Sequence, residues 1–181
     1  TDTDRYLPRA TFSETFAQIA SDLKKSIELF PATNQTAIPS SEYGHANKWV
    51  AEAYLGRVYL FYTGYMSNIE GQATSDLPLT DGGAISQSDA AGYLQDCVSN
   101  SGYQLVSDFR NIWPYSYANE SAGSVILPWA DSEGLSWVGQ DGHSTSFGTG
   151  NNESMFALRY STTDWGWGQQ YNNRIPLFFG I

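Results

Sequence analysis

The sequence predicts a mainly α-helical fold in which packed helical hairpins are followed by a loop-rich region with a few short strands. Two segments, Thr11–Phe30 and Ala46–Met66, carry apolar residues at helical spacing and are separated by a polar connector. The composition of the sequence changes after Pro114, where glycine, serine and aromatic residues replace the helical pattern. With 181 residues, the chain is long enough to bury a core of its own.

The first helix is predicted to begin at a capping box. Thr11 and Glu14 have the Thr-x-x-Glu spacing, in which each side chain accepts a hydrogen bond from a free backbone N–H of the first turn. Pro31 ends the helix, because proline has no N–H to continue it. The residues expected to face the core recur at helical spacing: Phe16, Ile19, Ala20, Leu23, Ile27 and Phe30.

The second helix, Ala46–Met66, combines large and small residues on one side. The side expected to pack consists of Ala46, Trp49, Val50, Ala53, Gly56, Arg57 and Leu60. Gly56 lies in the helix interior, where glycine costs about 1 kcal/mol relative to alanine, so we expect it to serve close packing against another helix. Alternation of large and small residues across facing helices is typical of tetratricopeptide-like hairpins.

A third helix is predicted after a loop over residues 67–88. Ser86 and Asp89 have the spacing of a helix start, and the helical pattern continues to about Asn100. Gly102 then has the position of a C-cap glycine.

Composition excludes several classes of protein. The formal net charge is −10, from 9 basic and 19 acidic residues, so the chain lacks the basic surface that nucleic acids or anionic membranes require. The single cysteine, Cys97, rules out an internal disulfide and fits a helical pattern with Ala91, Leu94 and Val98, which predicts a small buried core residue. No apolar run reaches the roughly 18 residues of a membrane span.

The second half of the chain is predicted to be mostly loop. Tyr115–Ala122 has the composition of a loop, whereas Ser124–Leu127 and Ser154–Ser161 are predicted as short strands. We therefore divide the chain into a helical scaffold, residues 1–113, and a loop-rich, aromatic-rich region of the same domain, residues 114–181. Both ends of the sequence are of the kind found inside a longer chain, so we expect this chain to be a piece of a longer protein.

No catalytic motif is present, and the chain is predicted not to be an enzyme and to use no cofactor or metal. His45 and His143 lie outside any nucleophile or metal motif. A glycoside hydrolase remains an alternative because acidic residues are available in the loop-rich half: Asp131, Glu133, Asp141, Glu153 and Asp164. Asp131 and Glu133 also suggest a calcium loop, but the regular ligand spacing is missing.

An aromatic and amide-rich loop is the best candidate for a ligand site. Flat indole rings can stack on the C–H faces of sugars, and side-chain amides can pair with their hydroxyl groups. The predicted ligand-binding residues are Trp165, Trp167, Tyr171, Asn172, Asn173 and Arg174, together with Trp137 between two glycines. Alternatively, these tryptophans point inward and anchor a long loop.

Several motifs follow one another in a distinctive order. They are Pro8-Arg9-Ala10-Thr11, Ile19-Ala-Ser-Asp-Leu23, Gly44-His-Ala-Asn-Lys48, Ala53-Tyr-Leu-Gly-Arg-Val-Tyr-Leu60, Val98-Ser-Asn-Ser-Gly-Tyr-Gln-Leu-Val106 and Glu153-Ser-Met-Phe-Ala-Leu-Arg-Tyr-Ser161. Over most of residues 8–161, their order and spacing resemble the middle part of a SusD/RagB-type outer-membrane nutrient-binding lipoprotein.

The resemblance implies a SusD-like fold of tetratricopeptide-like helical pairs that support a loop-rich ligand face. It also implies a surface-exposed lipoprotein of Bacteroidetes-type bacteria that captures an oligo- or polysaccharide and delivers it to a SusC-like, TonB-dependent outer-membrane transporter. Such proteins serve polysaccharide utilization and are not enzymes, and the lipid anchor would lie outside this chain. A helical-repeat protein that binds peptides or proteins is the alternative from another class.

Overall fold

The computed structural model describes residues 8–39, 42, 45–112, 116–117, 125–126, 129, 132–134 and 153–156. They include three α-helices: α1 (Phe12–Leu29), α2 (Lys48–Asn68) and α3 (Gln87–Asn100). The described part also contains two short antiparallel pairs: β1 (Leu77–Pro78) with β2 (Ala84–Ile85) between α2 and α3, and β3 (Ser116–Tyr117) with β4 (Val125–Ile126) after α3. The predicted mainly helical fold is confirmed.

The predicted capping box at the start of α1 is present. The Thr11 N–H donates to Glu14 Oε2 at 2.8 Å, and the Glu14 N–H donates to Thr11 Oγ1 at 3.2 Å. The helix ends at Leu29, and Phe30 adopts an extended conformation before Pro31. Both ends therefore lie within one residue of the prediction.

Helix α2 lies between α1 and α3 and is buried on both sides. Its N-cap is Asn47, whose Oδ1 accepts the Val50 N–H at 3.0 Å. The buried residues of α2 lie on more than one face: Trp49, Val50, Ala51, Glu52, Leu55, Gly56, Tyr59 and Tyr62. The prediction of a single packed side was wrong for Ala46, Arg57 and Leu60, which are exposed, because two neighbouring helices divide the surface of α2 between them.

Gly56 packs directly against Leu94 of α3. A Cβ atom added at Gly56 would lie 2.6 Å from Leu94 Cδ2 and 2.8 Å from Leu94 Cγ. The predicted role of Gly56 in close helix packing is confirmed, since any side chain there would displace Leu94.

Helix α3 has the predicted start and end. Ser86 and Asp89 form a capping box, and Gly102 has a φ of +81° where the chain turns away from the helix. Cys97 is buried, as predicted. The pattern that predicted this burial is wrong, however, because its other members, Ala91, Leu94 and Val98, are all exposed, Val98 to 76%.

The region between α2 and α3 contains a small hairpin that closes the core. Leu77, Leu79 and Ile85 are buried against the helices. The Tyr59 hydroxyl donates to the Ser75 carbonyl at 2.7 Å, which ties the approach to the hairpin to α2. The prediction of a loop over residues 67–88 missed these strands because each has only two residues.

The strand predictions in the second half had mixed outcomes. Val125–Ile126 lies within the predicted strand 124–127, whereas Ser116–Tyr117, predicted as loop, is its partner strand. Residues 153–156 form a turn and bend, so the predicted strand 154–161 is wrong over residues 154–156, and residues 157–161 lie outside the described part.

Candidate ligand-binding site

The predicted ligand-binding residues all lie outside the residues that the structure describes. They are Trp137, Trp165, Trp167, Tyr171, Asn172, Asn173 and Arg174. Their assignment to a ligand face therefore stays a prediction. The structure does describe residues 153–156, which precede the Trp165–Arg174 loop in the chain.

Two hydrogen bonds hold residues 153–156 against the helical scaffold. Glu153 Oε2 accepts the backbone N–H of Val106 at 3.0 Å, and the Met155 carbonyl accepts the Tyr103 hydroxyl at 3.3 Å. In addition, the ring of Phe156 meets the ring of Tyr54 on α2 edge to face, with centroids 6.5 Å apart. These contacts attach residues 153–156 to the helical scaffold.

Tyr103 connects this attachment to the start of α2. Its hydroxyl oxygen accepts a hydrogen bond from the Asn47 side-chain amide at 3.4 Å, and Asn47 is the N-cap of α2. Burial raises the pKa of Tyr103 above its usual 10.0, while the Asn47 hydrogen bond acts in the opposite direction. The phenol therefore stays protonated at neutral pH and can donate to Met155.

Arg110 forms ion pairs close in sequence to this attachment. Arg110 contacts the Asp108 carboxylate at 2.9 Å and lies 3.6 Å from Glu133. The guanidinium of Arg110 holds the pKa of Asp108 below its usual 3.8, first through the side-chain hydrogen bond. Because the carboxylate of Glu133 faces the cation of Arg110, it is a poor calcium ligand for the loop considered at Asp131 and Glu133. Asp131 itself lies outside the described residues.

The described part of the chain gives no support to a hydrolytic site built from the acidic residues considered above. Glu153 accepts a backbone N–H and Glu133 pairs with Arg110, while Asp131, Asp141 and Asp164 lie outside the described part. Within the described ranges, no three histidine, cysteine or acidic side chains meet in a way that could hold a metal ion. None of the described helices combines the length and apolar character needed to cross a bilayer.

A small cavity of about 250 Å³ lies where the end of α1 meets the start of α2. Its apolar lining includes Phe30, Pro31, Ile38 and Pro39, and Glu42 and His45 stand at its polar side. His45 Nδ1 lies 2.9 Å from Glu42 Oε2, so this histidine is hydrogen-bonded and exposed, as is usual for a loop histidine. The volume is below the range of roughly 300–1,000 Å³ typical of ligand pockets.

Sequence reasoning missed a buried charge cluster between α2 and α3. Glu52 is fully buried, and Lys48 lies between Glu52 and Asp96, with N–O distances of 3.3 Å and 2.6 Å. The i, i+4 spacing of Lys48 and Glu52 was the available signal. Nothing in the sequence indicates that this pair would face α3 and not solvent.

Sequence reasoning also missed the aromatic surface of α2. Phe61 is 57% exposed and stacks on Phe16 of α1, with centroids 5.6 Å apart. Tyr65 stacks on Phe12 at 4.2 Å. These rings join α1 to α2 near one end of the hairpin.

Comparison with known protein families gives one finding. Residues 1–60 match the family SusD-like_3, described as "Starch-binding associating with outer membrane". Comparisons with curated proteins and with solved structures give no match. The matched residues include α1, the connector and the first part of α2.

Proposed function

We propose that this chain, whose N-terminal part is of the SusD/RagB type, captures glycan at the bacterial cell surface and delivers it to a TonB-dependent outer-membrane transporter. The observation that carries the proposal is the family match over residues 1–60. The family description assigns starch binding and association with the outer membrane to proteins of this type. The proposal further includes delivery to a SusC-like transporter and attachment to the membrane through a lipid anchor.

The packing of the helical scaffold supports different roles for the two parts of the chain, with the helices holding the fold and the loop-rich region binding the ligand. The buried side chains of α2 are occupied by contacts with α1 and α3, so this helix serves mainly to hold the fold together. Loops supported by a rigid scaffold are where binding residues are commonly found. We therefore keep the ligand face in the loop-rich region and not on the helical hairpin.

The ligand face that we propose consists of aromatic platforms and polar side chains. Trp137, Trp165 and Trp167 would stack on sugar rings. Tyr171, Asn172, Asn173 and Arg174 would hydrogen-bond to hydroxyl groups. Residues 153–156 support this assignment, because they are attached to the scaffold shortly before this loop in the chain.

We propose capture without chemical change of the glycan. SusD-like proteins are non-catalytic binding proteins, and the sequence holds no nucleophile motif. Binding and release alone would then serve nutrient uptake, with hydrolysis left to other proteins.

Calorimetric titration of the 181-residue chain with maltoheptaose, a linear starch fragment, tests the proposal. We expect Trp165→Ala and Trp167→Ala each to weaken binding about tenfold, the loss of one stacking contact. Trp129→Ala is the matched control, because Trp129 is 53% exposed and is not among the proposed ligand residues. Its circular dichroism and affinity should equal those of the unmodified chain.

The other outcomes have clear meanings. Normal binding by both tryptophan variants would contradict the assignment of the ligand face. Binding of peptides but of no glycan would contradict glycan capture and favour the helical-repeat alternative. Release of shorter sugars during the titration would favour the glycoside hydrolase alternative.

A further inference from the structure

Three charged side chains meet between α2 and α3. Lys48 and Glu52 come from α2, and Asp96 comes from α3. Lys48 Nζ lies 2.6 Å from Asp96 Oδ2 and 3.3 Å from Glu52 Oε1. The Glu52 side chain is 1% exposed, whereas that of Asp96 is 36% exposed.

The charges in this cluster do not balance when all three groups are ionised. One ammonium group then serves two carboxylates, and it lies closer to the carboxylate that is more exposed. In the described part of the chain, neither oxygen of Glu52 accepts a hydrogen bond of acceptable geometry. An ionised carboxylate that is buried without hydrogen bonds is strongly disfavoured.

One proton removes the imbalance. Protonated Glu52 is neutral and acquires an O–H group that can donate to the neighbouring Asp96 carboxylate. Lys48 and Asp96 then form a balanced ion pair. We propose that Glu52 holds a proton when α2 and α3 are packed, so that the contact between these helices is a proton-dependent clasp that loosens as the pH rises.

The electrostatics of the cluster agree with this arrangement. Burial raises the pKa of Glu52 to about 7, Lys48 opposes the rise, and Asp96 adds to it. The Lys48 hydrogen bond holds the pKa of Asp96 below its usual 3.8, so Asp96 keeps its charge. The groups that face Glu52 are Lys48 on its own helix and, from α3, Asp96 and the Cys97 thiol, whose pKa is raised mainly by burial.

The sign of the pH dependence follows from the pKa of Glu52 in the folded and unfolded chain. Its folded pKa of about 7 lies above its usual 4.5. The stabilisation is therefore complete below about pH 4.5 and is lost as the pH rises through about 7. Helix α3 continues into Ser101, whose carbonyl accepts the Gln35 N–H at 2.8 Å, so a looser clasp would also loosen the connector.

Denaturant unfolding of the full chain between pH 5 and pH 8.5 tests the clasp. Glutamine is a neutral isostere of protonated glutamate, so Glu52→Gln should resemble the unmodified chain at pH 5 and be more stable at pH 8.5. Relative to this variant, the folding equilibrium constant of the unmodified chain should fall roughly ten- to a hundredfold across this range. Glu28→Gln is the control, because Glu28 is exposed and pairs only at the surface with Lys25.

Substitution of the two charged neighbours of Glu52 gives a second test, because the two changes should shift its titration midpoint in opposite directions. The carbon-13 carboxyl signal of Glu52, assigned by its loss in Glu52→Gln, reports its protonation directly. Asp96→Asn frees Lys48 for Glu52 and should move the titration midpoint to lower pH, whereas Lys48→Met should move it to higher pH. A midpoint near 4.5 in the unmodified chain, or a pH dependence that Glu52→Gln leaves unchanged, would overturn the proposal, even where Lys48→Met fails to fold.

Discussion

Gly56 shows how a missing side chain permits a close contact between two helices. Its missing side chain leaves the space that Leu94 of α3 occupies. An alanine at this position would gain about 1 kcal/mol in helix propensity. It would also place a Cβ atom 2.8 Å from Leu94 Cγ, and this contact cannot be relieved without moving the whole Leu94 side chain.

We therefore expect Gly56→Ala to destabilise the chain by about 1 kcal/mol, since overpacking of a helix contact costs about 1–3 kcal/mol and the gain in helix propensity offsets part of it. Urea unfolding measures the change. Gly64→Ala is the matched control on the same helix, because a Cβ atom there would meet nothing within 4 Å. This control should be neutral or more stable by up to about 1 kcal/mol.

A second substitution distinguishes the steric explanation from a general effect on α2. Combining Gly56→Ala with Leu94→Ala removes the clash and should recover part of the lost stability. Equal effects of Gly56→Ala and Gly64→Ala would contradict a role for Gly56 in helix packing.

Residues were predictable from sequence where one local rule decides their position. The roles of Thr11, Gly56 and Cys97 follow from capping, helix packing and the hydrophobicity of a thiol. Glu52 was not predictable, because a glutamate is rarely buried and its neighbour Asp96 lies 44 positions away in sequence. Val98 illustrates the reverse error, an apolar residue left exposed at the surface of α3.

At the scale of elements, the helices depend on their caps. The capping box of α1 leaves the carboxylate of Glu14 bonded to the backbone N–H and the hydroxyl of Thr11. These bonds lower the pKa of Glu14 from its usual 4.5, the backbone bond first. The contribution of this carboxylate is therefore present at neutral pH and lost as the pH falls through its lowered pKa.

Thr11→Ala should destabilise the chain by about 1 kcal/mol, because the hydroxyl that accepts the Glu14 N–H is lost. Thermal unfolding followed at 222 nm by circular dichroism measures the effect. Thr15→Ala serves as the control, since Thr15 is an exposed threonine one turn further along whose hydroxyl only bonds back to the Thr11 carbonyl. It should change stability by less than about 0.5 kcal/mol. Equal losses in the two variants would show that the cap contributes nothing specific.

The strands were harder to predict than the helices, because a helix satisfies its hydrogen bonds locally whereas a strand needs a partner. Alternating residues over 154–161 resembled a strand, yet residues 153–156 bond through the Glu153 side chain and the Met155 carbonyl to residues 103 and 106. The pair β1 and β2 has only two residues on each strand, which gives no pattern to recognise.

At the scale of the whole molecule, the sequence predicted the helices, but it did not indicate how residues 153–156 are attached to them. The attachment depends on Tyr103, Val106 and Glu153, and its partners are separated by about 50 positions in sequence. No local pattern encodes such a contact, since its partners are far apart in sequence. The predicted tryptophans and amides of the ligand face stay a prediction, because they lie outside the residues that the structure describes.

Glu153→Gln should weaken the attachment, because the bond from the Val106 N–H would lose its charge assistance. We expect the Val106 amide to exchange with solvent hydrogen about tenfold faster, which corresponds to about 1.4 kcal/mol. The Leu55 amide in the buried centre of α2 should keep its protection, because the helix does not depend on Glu153. Glu133→Gln is the control for loss of an acidic charge nearby, since Glu133 pairs with Arg110 and not with Val106. Unchanged exchange at Val106 in Glu153→Gln would contradict an attachment through this carboxylate, whereas faster exchange at both amides would indicate that the scaffold and residues 153–156 unfold as one unit.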